Sequence, residues 1–341
     1  MNEQFLQYAQ NLLSEKLFKT EELFLGGFSR LSAEFTANFQ QTCEKISALQ
    51  KDGGFDDAAY IEYTLLRTNI INRNYTAEVR VYGKDRYLCK RQRAVGEFDV
   101  SFLFKHFGEL WDELIESRRQ YAGKVSAVDV KAFMMDAAPK FYSYIAALCR
   151  FSILGCVERD YFKAIKKSPR FEINAGEYMA RTQPAYKENA EKDRVDILIW
   201  FADRLDSKYC YEDFSGLDFS GEDFSGLDLR YADLRNAVLN HINFAGANLI
   251  GARFCGASLE NADFSGAKLH EADFSGANLQ KAKFNNAAAN GGLILTNEKE
   301  WQSPGYFGVS FKNSDLRGAD FTGAEFKGAD FTGALTGGAN I

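Results

Sequence analysis

The sequence predicts an α+β protein of two domains: a mostly helical N-terminal domain with a small β-hairpin over residues 1–211, and a stacked solenoid over residues 212–341. Three observations lead to this prediction. The length of 341 residues suits about two domains of ordinary size. Large apolar residues recur at three- and four-residue steps in the first part, and at every fifth residue in the second. The composition, with 46% hydrophobic and 26% charged residues, excludes a disordered chain.

Helices dominate the prediction for the first part. Apolar residues at helical spacing indicate an amphipathic helix that ends at Gly53-Gly54, and similar spacing recurs further along the chain. Alternation over Tyr75–Tyr82, a turn at Gly83–Asp85 and a return over Arg86–Cys89 predict the hairpin. The helices are predicted at residues 20–51, 58–71, 101–120, 127–156 (with Pro139 as a start or a kink) and 186–205.

The second part is defined by its period of five. Fifteen successive large apolar residues follow this period without a miss from Phe214 to Phe284, mostly with Ala two places earlier and often with Gly two places later. The period fits neither a helix nor a flat strand. It fits a chain that turns one corner per repeat, so that four repeats close a square coil of about twenty residues and coils stack at roughly 4.8 Å. Gly, Asn and Asp supply the corner conformations.

This pattern, as in Ala262-Asp263-Phe264-Ser265-Gly266, resembles the pentapeptide-repeat family. The resemblance covers residues 212–341 and implies a right-handed quadrilateral β-helix with the Ala and the centre residue inside. With four repeats per coil, Phe columns face each other across the axis from the second coil onward, and so do Leu columns. This alternation predicts a packed axis without room for a ligand or channel.

The repeat is interrupted at about residues 290–310 and resumes by Phe311 with two surplus residues. We expect a loop that projects from the solenoid. Its aromatic residues Trp301, Tyr306 and Phe307 are candidates for binding a partner, since loops on rigid scaffolds often carry binding. Alternatively, these aromatic residues fold back over the edge of the coil.

Each end of the solenoid needs a cap, because an uncapped coil exposes backbone groups and core side chains. The helical domain is expected to cap the first coil. At the other end the sequence stops in phase at Ile341 without a capping helix. The last coil, with Ile341, is therefore a candidate surface for a homodimer or another protein partner.

Residue patterns for catalysis, metal binding or a cofactor are absent from the sequence. His106, His241 and His270 are expected to be ordinary surface or interfacial residues. The six Cys lack metal-ligand spacing and are expected to be inert thiols in a reducing cytosol. The chain shows no signal peptide and no apolar run that spans a bilayer, so we expect a cytoplasmic protein.

The charge of the chain argues against nucleic acid as a partner. The net charge is −6, with 31 Lys+Arg against 30 Asp+Glu in residues 1–211 and 10 against 17 in residues 212–341. One basic string could contact phosphates, but it also has the composition of a solvated hairpin flank. It consists of Lys84, Arg86, Lys90, Arg91 and Arg93.

Three functions are considered on this basis. The first is a non-enzymatic scaffold for protein–protein interaction, with the partner unknown. The second comes from the resemblance, because some pentapeptide-repeat proteins are acidic DNA mimics that occupy the DNA site of gyrase; here the column Asp213, Asp233, Arg253, Asp273 is interrupted by a cation. The third is an unrecognised enzyme activity in the helical domain, assembled from residues distant in sequence.

Overall fold

The computed structural model describes residues 2–86, 92–121, 123–178, 182–204, 209–291 and 307–341. The chain divides into two compact units, residues 1–186 and 187–341. Residues 187–211, predicted to belong to the helical domain, thus lie in the second unit. The elements in chain order are α1 (Glu3–Lys51), β1 (Ala58–Leu65), α2 (Arg67–Ile71), β2 (Thr76–Tyr82), β3 (Arg93–Asp99), α3 (Lys105–Ser117), α4 (Ala127–Ile153), α5 (Asp160–Lys163), β4 (Lys167–Glu177), β5 (Thr182–Asn189) and α6 (Arg194–Ala202).

Helix α1 is longer than the predicted helix over 20–51. It begins where the side chain of Asn2 accepts a hydrogen bond from the Phe5 amide, at 3.1 Å. Phe5, Ala9 and Leu12 are buried at helical spacing, so the apolar stripe runs along the whole helix. The prediction was therefore correct in type but placed the start of the helix too late.

The predicted helix over residues 58–71 is wrong in its first part. Ala58–Leu65 forms β1, the middle strand of a five-stranded sheet in the order β3-β2-β1-β4-β5, and only Arg67–Ile71 is helical. Strand β1 is antiparallel to β2 and parallel to β4. Nearly every residue of β1 is buried, on both faces, which removes the alternation that marks a half-exposed strand.

The predicted β-hairpin is a part of this sheet. Strand β2 confirms the strand predicted at 75–82, but its antiparallel partner is Arg93–Asp99 rather than Arg86–Cys89. Residues 87–89 lie outside the described residues. Strands β4 and β5 were not predicted, and the helix predicted over 186–205 is confined to Arg194–Ala202. The helices predicted at 101–120 and 127–156 are confirmed as α3 and α4, with Pro139 inside α4.

The second unit is a stack of coils of twenty residues each. Parallel bridges join residues twenty apart, four per coil, such as Asp213 with Asp233 and Asp218 with Val238. Across the interruption they join residues thirty-seven apart, as in Asp273 with Ser310, and beyond it the spacing is again twenty, as in Ser310 with Asp330. Three repeats and two surplus residues account for the additional seventeen. The coils therefore stay in register across the interruption, as predicted.

The corner residues two places after the core residue, from Tyr211 to Asn286 and from Asn313 to Gly338, have the left-handed conformation, whereas Gly291 at the interruption does not. Gly occupies many of these positions, as predicted, because it adopts positive φ without strain. Other corners carry larger residues at φ near +55 to +66°, among them Tyr211, Tyr231, Asn236, His241, Asn261, Glu271, Lys281, Asn286 and Asn313.

The axis of the solenoid is packed with apolar side chains. Phe254 and Phe274 stack with ring centroids 4.7 Å apart, and Phe264 and Phe284 stack at 5.0 Å. Across the axis, Phe264 meets Phe274 edge to face at 5.3 Å. These contacts confirm the predicted pairing of Phe columns from the third coil onward, whereas in the second coil Leu234 stands in the column opposite Phe244. The core residues of the middle coils are fully buried.

Candidate functional site

The acidic residues that precede the core positions stabilise the turns of the solenoid. Each Asp carboxylate at such a position accepts a hydrogen bond from the amide two residues later, at 2.9 Å for Asp213 with Ser215 and for Asp263 with Ser265. Hydrogen bonds from the Thr322 and Thr332 side chains, with other donors, lower the pKa of Asp320 and Asp330 to about 2. These Asp residues therefore have a local role in stabilising the turns.

Many of the same carboxylates are paired with cations. Arg230 binds Asp228 at 2.6 Å and Arg317 binds Asp315 at 2.7 Å, in each case two residues apart. Lys312 binds Asp330 in the next coil at 3.0 Å. A cation thus lies beside each of these three carboxylates.

The column considered for DNA mimicry is interrupted in the same way. The Asp233 carboxylate lies 2.7 Å from Arg235 and 3.8 Å from Arg253. Asp233 and Arg253 are both buried. The cation predicted from the sequence to break this column thus directly neutralises its acidic neighbour.

A column of corner residues forms a side-chain cluster that was not predicted. Tyr211 and Tyr231 stack with ring centroids 5.0 Å apart, and the Tyr231 hydroxyl lies 3.4 Å from the buried carboxylate of Glu271. The Tyr231 ring occupies the space where Gly251 would carry a Cβ atom. The twenty-residue spacing of 211, 231, 251 and 271 is the signal that could have revealed it.

Helix α6 covers the first coil, within the second unit. The Phe201 ring lies 5.1 Å from Phe214 and 4.6 Å from Phe224, measured between centroids. Lys192 binds Asp213 at 2.8 Å, and Arg194 binds Glu222 at 2.6 Å. The capping element is therefore this helix.

The candidate partner-binding residues lie in different parts of the second unit. Trp301 and Tyr306 lie outside the described residues. Phe307 is half-buried, and its carbonyl accepts a hydrogen bond of 3.2 Å from the Glu271 amide at the edge of the coil. Ile341 follows Phe321 by twenty residues and is 68% exposed. The structure does not bring Phe307 and Ile341 into one cluster.

The first unit contains a buried charge on the face of its sheet. Glu62 of β1 is fully buried and accepts a hydrogen bond of 2.8 Å from Arg86. Arg86 also donates to the Thr182 hydroxyl at 3.1 Å and lies 4.8 Å from the centre of the Tyr60 ring. Arg86 of the basic string is thus engaged within the protein, while Lys90 and Arg91 lie outside the described residues.

Hydrogen bonds hold two of the described His residues, and burial surrounds two of the described Cys residues. His106 lies 3.0 Å from Glu109, and His270 lies 2.8 Å from the Asn290 carbonyl. Burial raises the pKa of Cys210 and Cys255 to about 12, so these thiols stay protonated at neutral pH. Within the described ranges, no group of three or more His, Cys, Asp or Glu could hold a metal ion. None of the described helices has the length and apolar content needed to cross a membrane.

Comparison with known proteins gives a family model that matches the second unit. The family model described as pentapeptide repeats (8 copies) matches residues 213–246, 223–261, 247–286 and 307–335. No curated protein matches the chain.

Solved structures similar to the chain include two pentapeptide-repeat proteins and a fluoroquinolone resistance protein. One from the cyanobacterium Cyanothece 51142 is 21% identical and covers 42% of this chain and 97% of its own, with a TM-score of 0.29. One from the Arabidopsis thaliana thylakoid lumen is 40% identical over 33% of this chain and 70% of its own, with a TM-score of 0.20. QnrB1, a plasmid-mediated fluoroquinolone resistance protein, is 19% identical over 39% of this chain and 84% of its own, with a TM-score of 0.14. The C-terminal region of the chain, residues 213–335, is therefore a pentapeptide-repeat region.

Proposed function

We propose that the protein is a non-enzymatic scaffold for protein–protein interaction in the cytoplasm, and that its solenoid is a right-handed quadrilateral β-helix. The observation that carries this proposal is that the coils are filled along their axis and accessible only on their outer surface and at their ends. Apolar side chains fill the axis, so a ligand has no space inside. Recognition is then left to the outer surface and to the ends of the stack.

The last coil is the surface we propose for a partner, with a second copy of the chain as one candidate. Leu335 and Ile341 are 55% and 68% exposed, and Phe331 of the same coil is only half-buried. Apolar side chains at a coil edge would be covered if another coil stacked on them.

Light scattering at micromolar concentration tests this dimer. We expect the full chain to have twice the monomer mass, and Ile341→Lys to reduce it to a monomer because a charge would enter the interface. Thr332→Lys, which changes an exposed side chain of the same coil, serves as the control and should stay dimeric. A monomeric wild-type chain would remove the dimer from the proposal.

The loop at residues 290–310 is the second surface we propose for a protein partner. Affinity capture from cytoplasmic extract should retain a protein on the full chain and lose it with Trp301→Ala and Tyr306→Ala. Equal capture by the wild type and both variants would exclude these aromatic residues as the binding site.

Mimicry of DNA is the alternative that the surface favours less. Cations two residues away bind carboxylates of the coils, as at Asp228 and Asp315, which interrupts rows of negative charge that could imitate phosphates. We expect the full chain to leave the supercoiling activity of gyrase unchanged in an assay that spans micromolar concentrations. Inhibition in that range would establish the alternative instead.

A further inference from the structure

A groove of about 670 Å³ lies in the first unit between the last turns of α1 and strand β3. Strand β3 is the end strand of the sheet and pairs with β2 alone. The groove therefore runs along a sheet edge, with a helix as its other wall. Its lining residues are Lys45, Ala48, Leu49, Asp52, Ala94, Val95, Gly96 and Glu97.

The backbone of Glu97 faces away from the sheet. Its carbonyl accepts a hydrogen bond of 2.8 Å from the Asn38 side chain of α1, so it does not point toward β2. In an extended strand the N–H and the carbonyl of one residue point to the same side, so the Glu97 N–H also faces outward. In the described part of the chain this N–H has no hydrogen-bond acceptor outside its own sheet.

A β-bulge shapes the edge just before Glu97. Gly96 lies opposite Val79 and Ala94 lies opposite Arg80, so Val95 is the additional residue. The bulge directs the Val95 side chain inward, where it is buried, and leaves Ala94 exposed. A short open edge with a small side chain results.

The walls of the groove combine apolar surface with unpaired charge. Ala48 and Leu49 supply apolar side chains on the helix. Lys45, Asp52 and Glu97 are exposed and form no ion pair within the described residues. Two carboxylates against one ammonium leave the lining with a net charge of −1, which suits a basic partner.

We propose that this groove binds an extended peptide of a partner protein, which adds to β3 as a further strand. The outward Glu97 N–H would donate a main-chain hydrogen bond to the peptide, as in other cases of strand addition, beside the Glu97 carbonyl that Asn38 already binds. A small apolar side chain of the peptide packs on Ala48 and Leu49, and a neighbouring Lys or Arg lies beside Asp52 and Glu97. The site belongs to the first unit and stands independently of the function proposed for the solenoid.

Selection of a random peptide phage library on the full-length protein tests the proposal. We expect enrichment of peptides that combine a small or β-branched residue with a basic one. Synthetic peptides from that selection should bind Ala48→Trp at least tenfold more weakly, because the indole fills the groove, and Asp52→Asn several-fold more weakly.

A second pair of variants tests the backbone contact. Glu97→Pro removes the outward N–H and should weaken peptide binding at least tenfold, whereas Glu97→Ala keeps it and should lose only the charge contribution. In NMR spectra of the wild type, the peptide should shift the amide signals of residues 94–97. Absence of any enriched peptide, or equal binding by the wild type and Ala48→Trp, would overturn the proposal. Either result leaves the dimer and loop tests of the solenoid unaffected.

Discussion

At the scale of single residues, Glu21 of α1 makes the first unit sensitive to pH. The carboxyl is buried, and among the described residues neither oxygen has a hydrogen-bond partner. Burial raises its pKa from 4.5 to about 7. Between these values the folded protein holds a proton that the unfolded chain has released, so stability falls as pH rises. At 1.36 kcal/mol per pKa unit, the free energy of unfolding has fallen by roughly 3 kcal/mol once the pH is above 7.

Glu21→Gln should remove that pH dependence, because an amide does not titrate. Urea unfolding at pH 5 and pH 8 measures it: the difference in the free energy of unfolding should shrink in Glu21→Gln and persist in Glu22→Gln, the exposed neighbour. An unchanged difference in Glu21→Gln would assign the pH dependence to other groups.

Among the acidic residues of the solenoid, Asp233 is the one whose substitution we expect to lower the free energy of unfolding most. Burial opposes ionisation, but Arg235 and Arg253 outweigh it, so the pKa of Asp233 is lowered. The stabilisation is present above the ordinary pKa of 3.8 and is lost as pH falls through the lower folded value. Asp233→Ala should destabilise by about 3–5 kcal/mol, since it leaves buried Arg253 without this carboxylate. Asp218→Ala, at an exposed turn, should cost much less in the same urea titration.

At the scale of elements, the corner at Gly251 couples one coil to the next. Gly251 and Gly226 both have φ of +66°, but only at Gly251 would a Cβ overlap the Tyr231 ring. Gly226→Ala should cost about 1–2 kcal/mol for the left-handed conformation. Gly251→Ala should cost a further 1–3 kcal/mol or so for the displaced ring. Addition of Tyr231→Leu to Gly251→Ala should recover part of this difference; no recovery would refute the role of the ring.

Some elements of the fold are encoded within a short segment of sequence, and others depend on segments that are distant in the chain. The five-residue period encodes each corner and core position by itself, so the coils and their register after the interruption could be predicted. Strand β1 could not, because burial on both faces gives AAYIEYTL an apolar run that suits a helix as well as a strand. The groove along β3 was also hidden, since it joins residues 45–52 to residues 94–97, and nothing in either segment specifies that pairing.

At the scale of the whole molecule, the solenoid depends on being closed at its first coil. The N-terminal edge of that coil is covered by α6, whose Ile197 and Phe201 join the apolar core of the coils. On the same helix Val195 and Ile199 are exposed. One face of a nine-residue helix thus separates the Phe stack from water.

Phe201→Asp should open the solenoid from this end. The substitution removes a ring that contacts Phe214 and Phe224 and places a carboxylate against them. Loss of the ring alone is worth about 3–5 kcal/mol, and the charge adds to it. Hydrogen exchange should show lost protection of the amides in residues 214–231, which bond to the second coil, while later coils stay protected because each coil contacts only its neighbours. Ile199→Asp, on the exposed face, is the matched control and should change stability by no more than about 0.5 kcal/mol. Uniform loss of protection along all coils would show instead that the stack unfolds as one cooperative unit.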